Sequence, residues 1–152
     1  MMNPTEFADS AAYPFWVIDR IRNSDTDQFQ HVNNAAIASF CEAGRMALFE
    51  TPILQEAIAG LNVVVVKLTI SFERELFYPG AVQVGTCVTV IGNTSFQVSQ
   101  GLYGIQGRFA TSEATCVMMK RAEHKPVRVP DTVRMLFAAH VKGRSRDDIP
   151  LS

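Results

Sequence analysis

The sequence has no long run of apolar residues, no block of basic charge and too few cysteines for a covalent framework. Each absence excludes a class of protein. No stretch approaches the roughly 18 to 20 consecutive apolar residues that a bilayer-spanning helix needs. The opening "MMNPTEFADS" lacks both the basic flank and the apolar centre of a secretory leader, so a cytoplasmic protein with no membrane partner is expected. Basic residues are scattered, and the one local cluster, Lys142, Arg144 and Arg146, is answered at once by Asp147 and Asp148. No nucleic-acid partner is expected from that pattern. Cys41, Cys87 and Cys116 are odd in number and far apart, which suits neither a disulfide set nor a CxxC-type metal site. Each falls in an apolar context and reads as a small core residue. His124 and His140 are distant from His31 and from one another, without ligand spacing. The expectation is no metal and no cofactor.

What remains has the composition of a soluble globular protein: 152 residues, 47% hydrophobic, 19% charged, with a formal net charge of -1. That length fits one domain, 1–152, with one core. Residues 13–22, "YPFWVIDRIR", alternate Val17, Asp19, Ile21 against Trp16, Ile18, Arg20, as a strand with one buried face does. Farther on, Ile37, Phe40, Cys41, Gly44 and Leu48 recur at helical spacing, with Ser39, Glu42 and Glu50 on the other side. Asn33 or Asn34 supplies the N-cap. Alanines crowd this helix, and Gly44, costly to helix propensity, marks a close approach to a neighbouring element.

Beyond residue 60 the period becomes that of strands. Val63 to Val66 are all β-branched, then Leu68, Ile70 and Phe72 alternate with Lys67, Thr69 and Ser71. "YPG" at 78–80 signals a turn, and strands follow at "AVQVGTCVTVI", "SFQVSQGLY" and "RFATSEATCVMMK". "VPDTVRMLFAAH" places Pro130 and Asp131 where a short helix begins. One long helix and a run of about five strands imply an α+β fold, the helix packed on an antiparallel sheet. "GLYGIQG" has three glycines without the spacing or following helix of a phosphate loop, and reads as a turn.

The stretch at 24–34, "SDTDQFQHVNN", joins the first strand to the helix. Asp and Asn favour turns and caps, so composition alone allows a plain connecting loop. A carboxylate just before a helix, however, stands near the backbone N–H groups and positive dipole end that also stabilise an oxyanion. The two could act on one substrate.

This run, continued to Arg45, resembles the signature of hotdog-fold acyl-CoA thioesterases of the 4-hydroxybenzoyl-CoA thioesterase type: D-x-D-x-x-G-H-V-N-N, then a helix ending in E-x-x-R. Asp25, Asp27, His31, Val32, Asn33, Asn34, Glu42 and Arg45 fall on matching positions. "QHVNN" is also similar to plant-type acyl-ACP thioesterases, whose site asparagine is replaced here by Phe29. Gln30 stands where bacterial relatives usually have glycine, which implies a turn of different shape before His31.

The resemblance implies a single hotdog domain that hydrolyses an acyl thioester. Asp27 attacks the carbonyl or activates water, and the helix N-terminus polarises the carbonyl oxygen. His31 orients substrate or Asp27, or holds the loop. Asn33 and Asn34 cap the helix and shape the site, while Asp25 supports the turn. Glu42 is a second candidate carboxylate; equally, Glu42 and Arg45 form an exposed i,i+3 pair worth a few tenths of a kcal/mol. For the phosphates of coenzyme A, Arg74, Lys67, Lys120 and Arg121 are candidates, beside a plain role at solvated strand ends. A homodimer or homotetramer is implied, with the site between subunits and acyl-CoA, or acyl-ACP, as substrate. The rival readings are a non-catalytic acyl-CoA binding module, a hydratase, which requires a D-x-N-P-x-H pattern absent here, and a plain structural protein. Phe29, Phe40, Phe72 and Phe77 belong to an acyl channel or to the core.

Overall fold

A computed structural model describes residues 13–138; His140, the N-terminal stretch 1–12 and the charge cluster at 142–148 lie outside the described residues. In chain order the elements are β1 (Phe15–Arg20), α1 (Asn34–Phe49), α2 (Pro52–Ala57), β2 (Leu61–Phe72), β3 (Ala81–Ile91), β4 (Ser95–Gly104), β5 (Gly107–Lys120), β6 (Lys125–Pro126) and α3 (Asp131–Ala138). Every strand read from the alternation is present. Besides a 3-10 turn at Asn23–Asp25, two elements were not anticipated. The helix α2 is only 6 residues long, too short to show a period, and is announced by Pro52 in its first turn; β6 is a two-residue pairing on β5.

The strands form one sheet in the order β1-β3-β4-β5-β2, with β6 beside β5. All its pairings are antiparallel. Because β1 and β2 occupy opposite edges, the chain between them must cross the sheet, and α1 makes that crossing against β1, β3 and β4. A long helix held against a curled antiparallel sheet is the hotdog arrangement, α+β.

Period-two patterning turns Val82, Val84, Thr86 and Val88 of β3, and Phe96, Val98, Gln100 and Leu102 of β4, toward the helix, all of them buried. The predicted helix stripe meets them: Ile37, Phe40, Cys41, Gly44 and Leu48 are all buried. Gly44 is where helix and sheet come closest. A Cβ there would lie 2.6 Å from both Val84 Cγ1 and Gln100 Nε2, so only glycine fits. The three cysteines are free and fully buried, as their contexts indicated. Arg45 departs from expectation: it is 4% exposed and turned to Gln100 of the sheet, so it is not the exposed partner of Glu42. At three residues from Glu42 its side chain falls on the sheet side of the helix, where β4 offers an acceptor.

Candidate active site

The segment between β1 and α1 is fixed by its own backbone. Asp27 N–H donates to the His31 carbonyl (2.9 Å), Gln30 N–H to the Asp27 carbonyl (3.0 Å) and Asn33 N–H to the Asp25 carbonyl (2.7 Å). The Asp25 carboxylate accepts from Arg22 N–H at 2.7 Å, so this residue braces the turn. Asp27 Oδ1 accepts from Phe29 N–H at 2.9 Å, an Asx-type contact that orients the carboxylate. Gln30 has φ +66°. It therefore takes the left-handed conformation that glycine supplies without cost, at an expense of about 1–2 kcal/mol for a residue with a Cβ.

Asn33 is the N-cap of α1, its Oδ1 accepting from Ala35 N–H at 2.9 Å. The remaining first-turn N–H groups have no carbonyl within the helix to reach. A bridge between Thr26 and Val32 folds the loop back on itself and returns the chain from Asp27 to the helix start.

A second segment, 73–80, closes the site from the other side. Val32 N–H donates to the Leu76 carbonyl at 2.7 Å, His31 bridges Phe77, and Ile21 N–H reaches the Gly80 carbonyl at 2.9 Å. Between the two segments lies a cavity of about 290 Å³. Its polar wall carries Asp27, His31, Asn34, Glu73, Arg74 and Glu75; its apolar wall carries Val32, Ile37, Phe72 and Leu76. His31 Nε2 stands 3.5 Å from Glu75 Oε1, and its ring meets Phe77 edge-on at 5.2 Å. Arg74 Nη1 donates to the Gln106 carbonyl at 2.7 Å, which ties the rim to the β4–β5 turn.

Four of the six candidate residues thus line one cavity: Asp27, His31, Asn34 and Arg74. Asn33 acts at its edge through the cap. Glu42 is exposed on α1 and not among the lining residues. Lys67, Lys120 and Arg121 do not line it either; Lys120 pairs with Glu123 and Arg121 bonds Asn62. Among the phenylalanines, Phe40 is core, Phe72 lines the cavity, Phe77 flanks His31 and Phe29 is 68% exposed. Sequence reasoning missed Glu75, the acidic neighbour of His31. The signal available was "ERE" at 73–75, three charges where a strand ends. A larger groove, about 360 Å³ on the outer face of β1 and β3, offers Arg20 and Gln83 but no carboxylate or imidazole.

The comparisons with known proteins bear on this geometry. Residues 21–137 match the thioesterase-like superfamily. The chain belongs to that superfamily. It is a thioester hydrolase by class, and the matched span takes in the whole polar loop, α1 and all of the cavity wall. A structure titled a predicted thioesterase, from Bacillus stearothermophilus, is similar at 26% identity, covering 84% of this chain and 96% of that one with a TM-score of 0.76. A Thermus thermophilus thioesterase in complex with coenzyme A and Zn is 23% identical, with 84% and 94% covered and a TM-score of 0.74. The DHNA-CoA thioesterase of Staphylococcus aureus is 17% identical, with 82% and 91% covered and a TM-score of 0.71. These last two likenesses concern the fold. No curated protein matches the chain.

Proposed function

We propose that this thioester hydrolase acts on an acyl-CoA, in the manner of the 4-hydroxybenzoyl-CoA thioesterase type, as one cytoplasmic hotdog domain over 1–152. The observation that carries the reading is that Asp27 and the start of α1 open on the same cavity. Asp27 is the reacting carboxylate. If it attacks the thioester carbonyl itself, the C–S bond breaks to leave a mixed anhydride on Asp27, which water then hydrolyses to the free acid and the carboxylate while the thiolate takes a proton from solvent; if it takes a proton from the water that attacks, the C–S bond breaks to give the free acid and that proton passes to the departing thiolate. Negative charge gathering on the carbonyl oxygen is met by first-turn N–H groups of α1, each such donor worth roughly 3 to 4 kcal/mol of barrier. Asn33 holds those groups in place as the cap, and Asn34 reaches the cavity from the same turn.

His31 orients the substrate or Asp27 from the cavity wall, with Glu75 beside its ring. Arg74, at the rim, has guanidinium donors beyond the one given to Gln106 and meets a phosphate of the carrier. Coenzyme A in the Thermus thermophilus structure supports this carrier. Glu42, exposed on α1, is the second candidate carboxylate. Dimerisation runs through β2: that edge strand pairs only with β5 among the described residues, and Val64, Val65, Val66 and Leu68 are exposed along it. An edge so apolar is covered when it pairs with its twin, in a homodimer or a homotetramer.

The test is thiol release from a panel of aliphatic and aromatic acyl-CoA thioesters. Wild-type protein is expected to turn over at least one, and folded Asp27→Asn to lose about 100-fold or more of kcat. Tight acyl-CoA binding without turnover would replace hydrolysis by a binding module. Turnover only of acyl carrier protein thioesters would move the chain to the acyl-ACP branch.

A further inference from the structure

The interface between α1 and the sheet is mostly apolar, and the side chain that bonds both the helix backbone and a neighbouring strand in it is Gln100. Gln100, fully buried on β4, donates from Nε2 to the Cys41 carbonyl of α1 (3.0 Å) and to Thr86 Oγ1 of β3 (3.1 Å). Its Oε1 accepts from Arg45 Nη1 at 3.3 Å. Both turns of the helix that it touches flank Gly44, where the backbone comes nearest the strands. Arg45 is itself buried, takes part in none of the ion pairs among the described residues, and has its Nε without a partner there. A buried guanidinium with no carboxylate is an expensive group to keep.

Apolar contacts fix how near two elements lie but are non-directional, so they resist sliding weakly; a hydrogen bond to one particular carbonyl does not slide. Buried polar contacts fix register in coiled coils for this reason. We infer that Gln100 is a positioning residue: its bond to Cys41, seconded by Arg45, sets the position of α1 along its own axis and so the place of the first-turn N–H groups beside Asp27. The helix is stiff, and Cys41 lies two turns from the cap, so a shift at Cys41 arrives undiminished at Asn34. A misplacement of about 1 Å at reacting groups costs up to 100-fold in rate.

This inference rests on the hydrolase reading with Asp27 at its centre, and its test separates the two. Gln100→Met removes the pin and strands the Arg45 charge, so both Tm and kcat fall, kcat by about tenfold with KM unchanged. Gln100→Met/Arg45→Met removes the stranded charge as well: Tm recovers and kcat stays low. Val98→Ala, two residues away on the same buried face, lowers Tm and leaves kcat of the folded enzyme at the wild-type value. Recovery of kcat together with Tm in the double variant would overturn the inference, as would a fall in kcat for Val98→Ala equal to that of Gln100→Met. A crystal structure of the double variant gives a readout independent of turnover: α1 is displaced along its own axis against β3 and β4, and a helix that keeps its wild-type position would overturn the proposal even if wild-type protein hydrolysed no thioester tested.

Discussion

At its C-terminal end α1 is buried among rings: Phe49 lies 6.0 Å from Phe96, and Phe96 4.7 Å from Phe137, which α3 brings over the top. At its N-terminal end the same helix meets a polar loop, an exposed Phe29, a left-handed Gln30 and a 290 Å³ cavity. One end spends its residues on close packing; the other keeps carboxylates, an imidazole and backbone donors near open space, and tolerates strain to do so. Stability and chemistry are therefore separable along a single helix, and substitutions at the two ends should report on different quantities.

The largest effect expected at the packed end is Phe96→Ala, which loses about 3–5 kcal/mol on denaturant unfolding while kcat of the protein still folded at low temperature stays near wild type; a loss of kcat without a loss of stability would dissolve the distinction. At the polar end, Asn33→Ala removes the cap and costs about 1 kcal/mol, and here kcat falls too, because the donors of the first turn lose their tether. Gln30→Gly sharpens the contrast in the other direction. It relieves the left-handed strain and raises stability by about 0.5–1 kcal/mol, readable as a rise in the denaturant midpoint at constant m. The smallest effect is at Asp131, the first residue of α3, whose carboxyl is held below its usual range by the hydrogen bond and charge of Arg128. A carboxyl with a lowered folded pKa stabilises above its unfolded value, near 4, and gives that up as pH falls through the folded one. Asp131→Asn should thus flatten slightly the acid limb of a Tm-against-pH curve and leave the neutral region alone. The group is exposed, and salt should shrink the difference further.

The strands were legible because their code is local: the alternation in Leu68, Ile70, Phe72 and the glycines at 92, 104 and 107 mark boundaries without reference to anything distant. The loop was legible for the same reason, since Asp25, Asp27 and Asn33 bond backbone within their own turn. Arg45 was misplaced because its partner, Gln100, is set by tertiary packing, and Glu75 was missed because only the pairing of His31 with Phe77 brings it alongside. Gln30, which stands where bacterial relatives usually have glycine, adopts the left-handed conformation, so the surrounding hydrogen bonds outweigh the side chain's preference.

The three buried thiols carry a consequence for measurement itself. Burial raises the pKa of Cys116 to about 11 and shifts Cys41 in the same direction, so neither offers thiolate to a reagent near neutral pH. Ellman-type titration of a reaction mixture then counts only the product thiol while the enzyme stays native, and any titre from the protein becomes a stopwatch for global opening, with no label to attach.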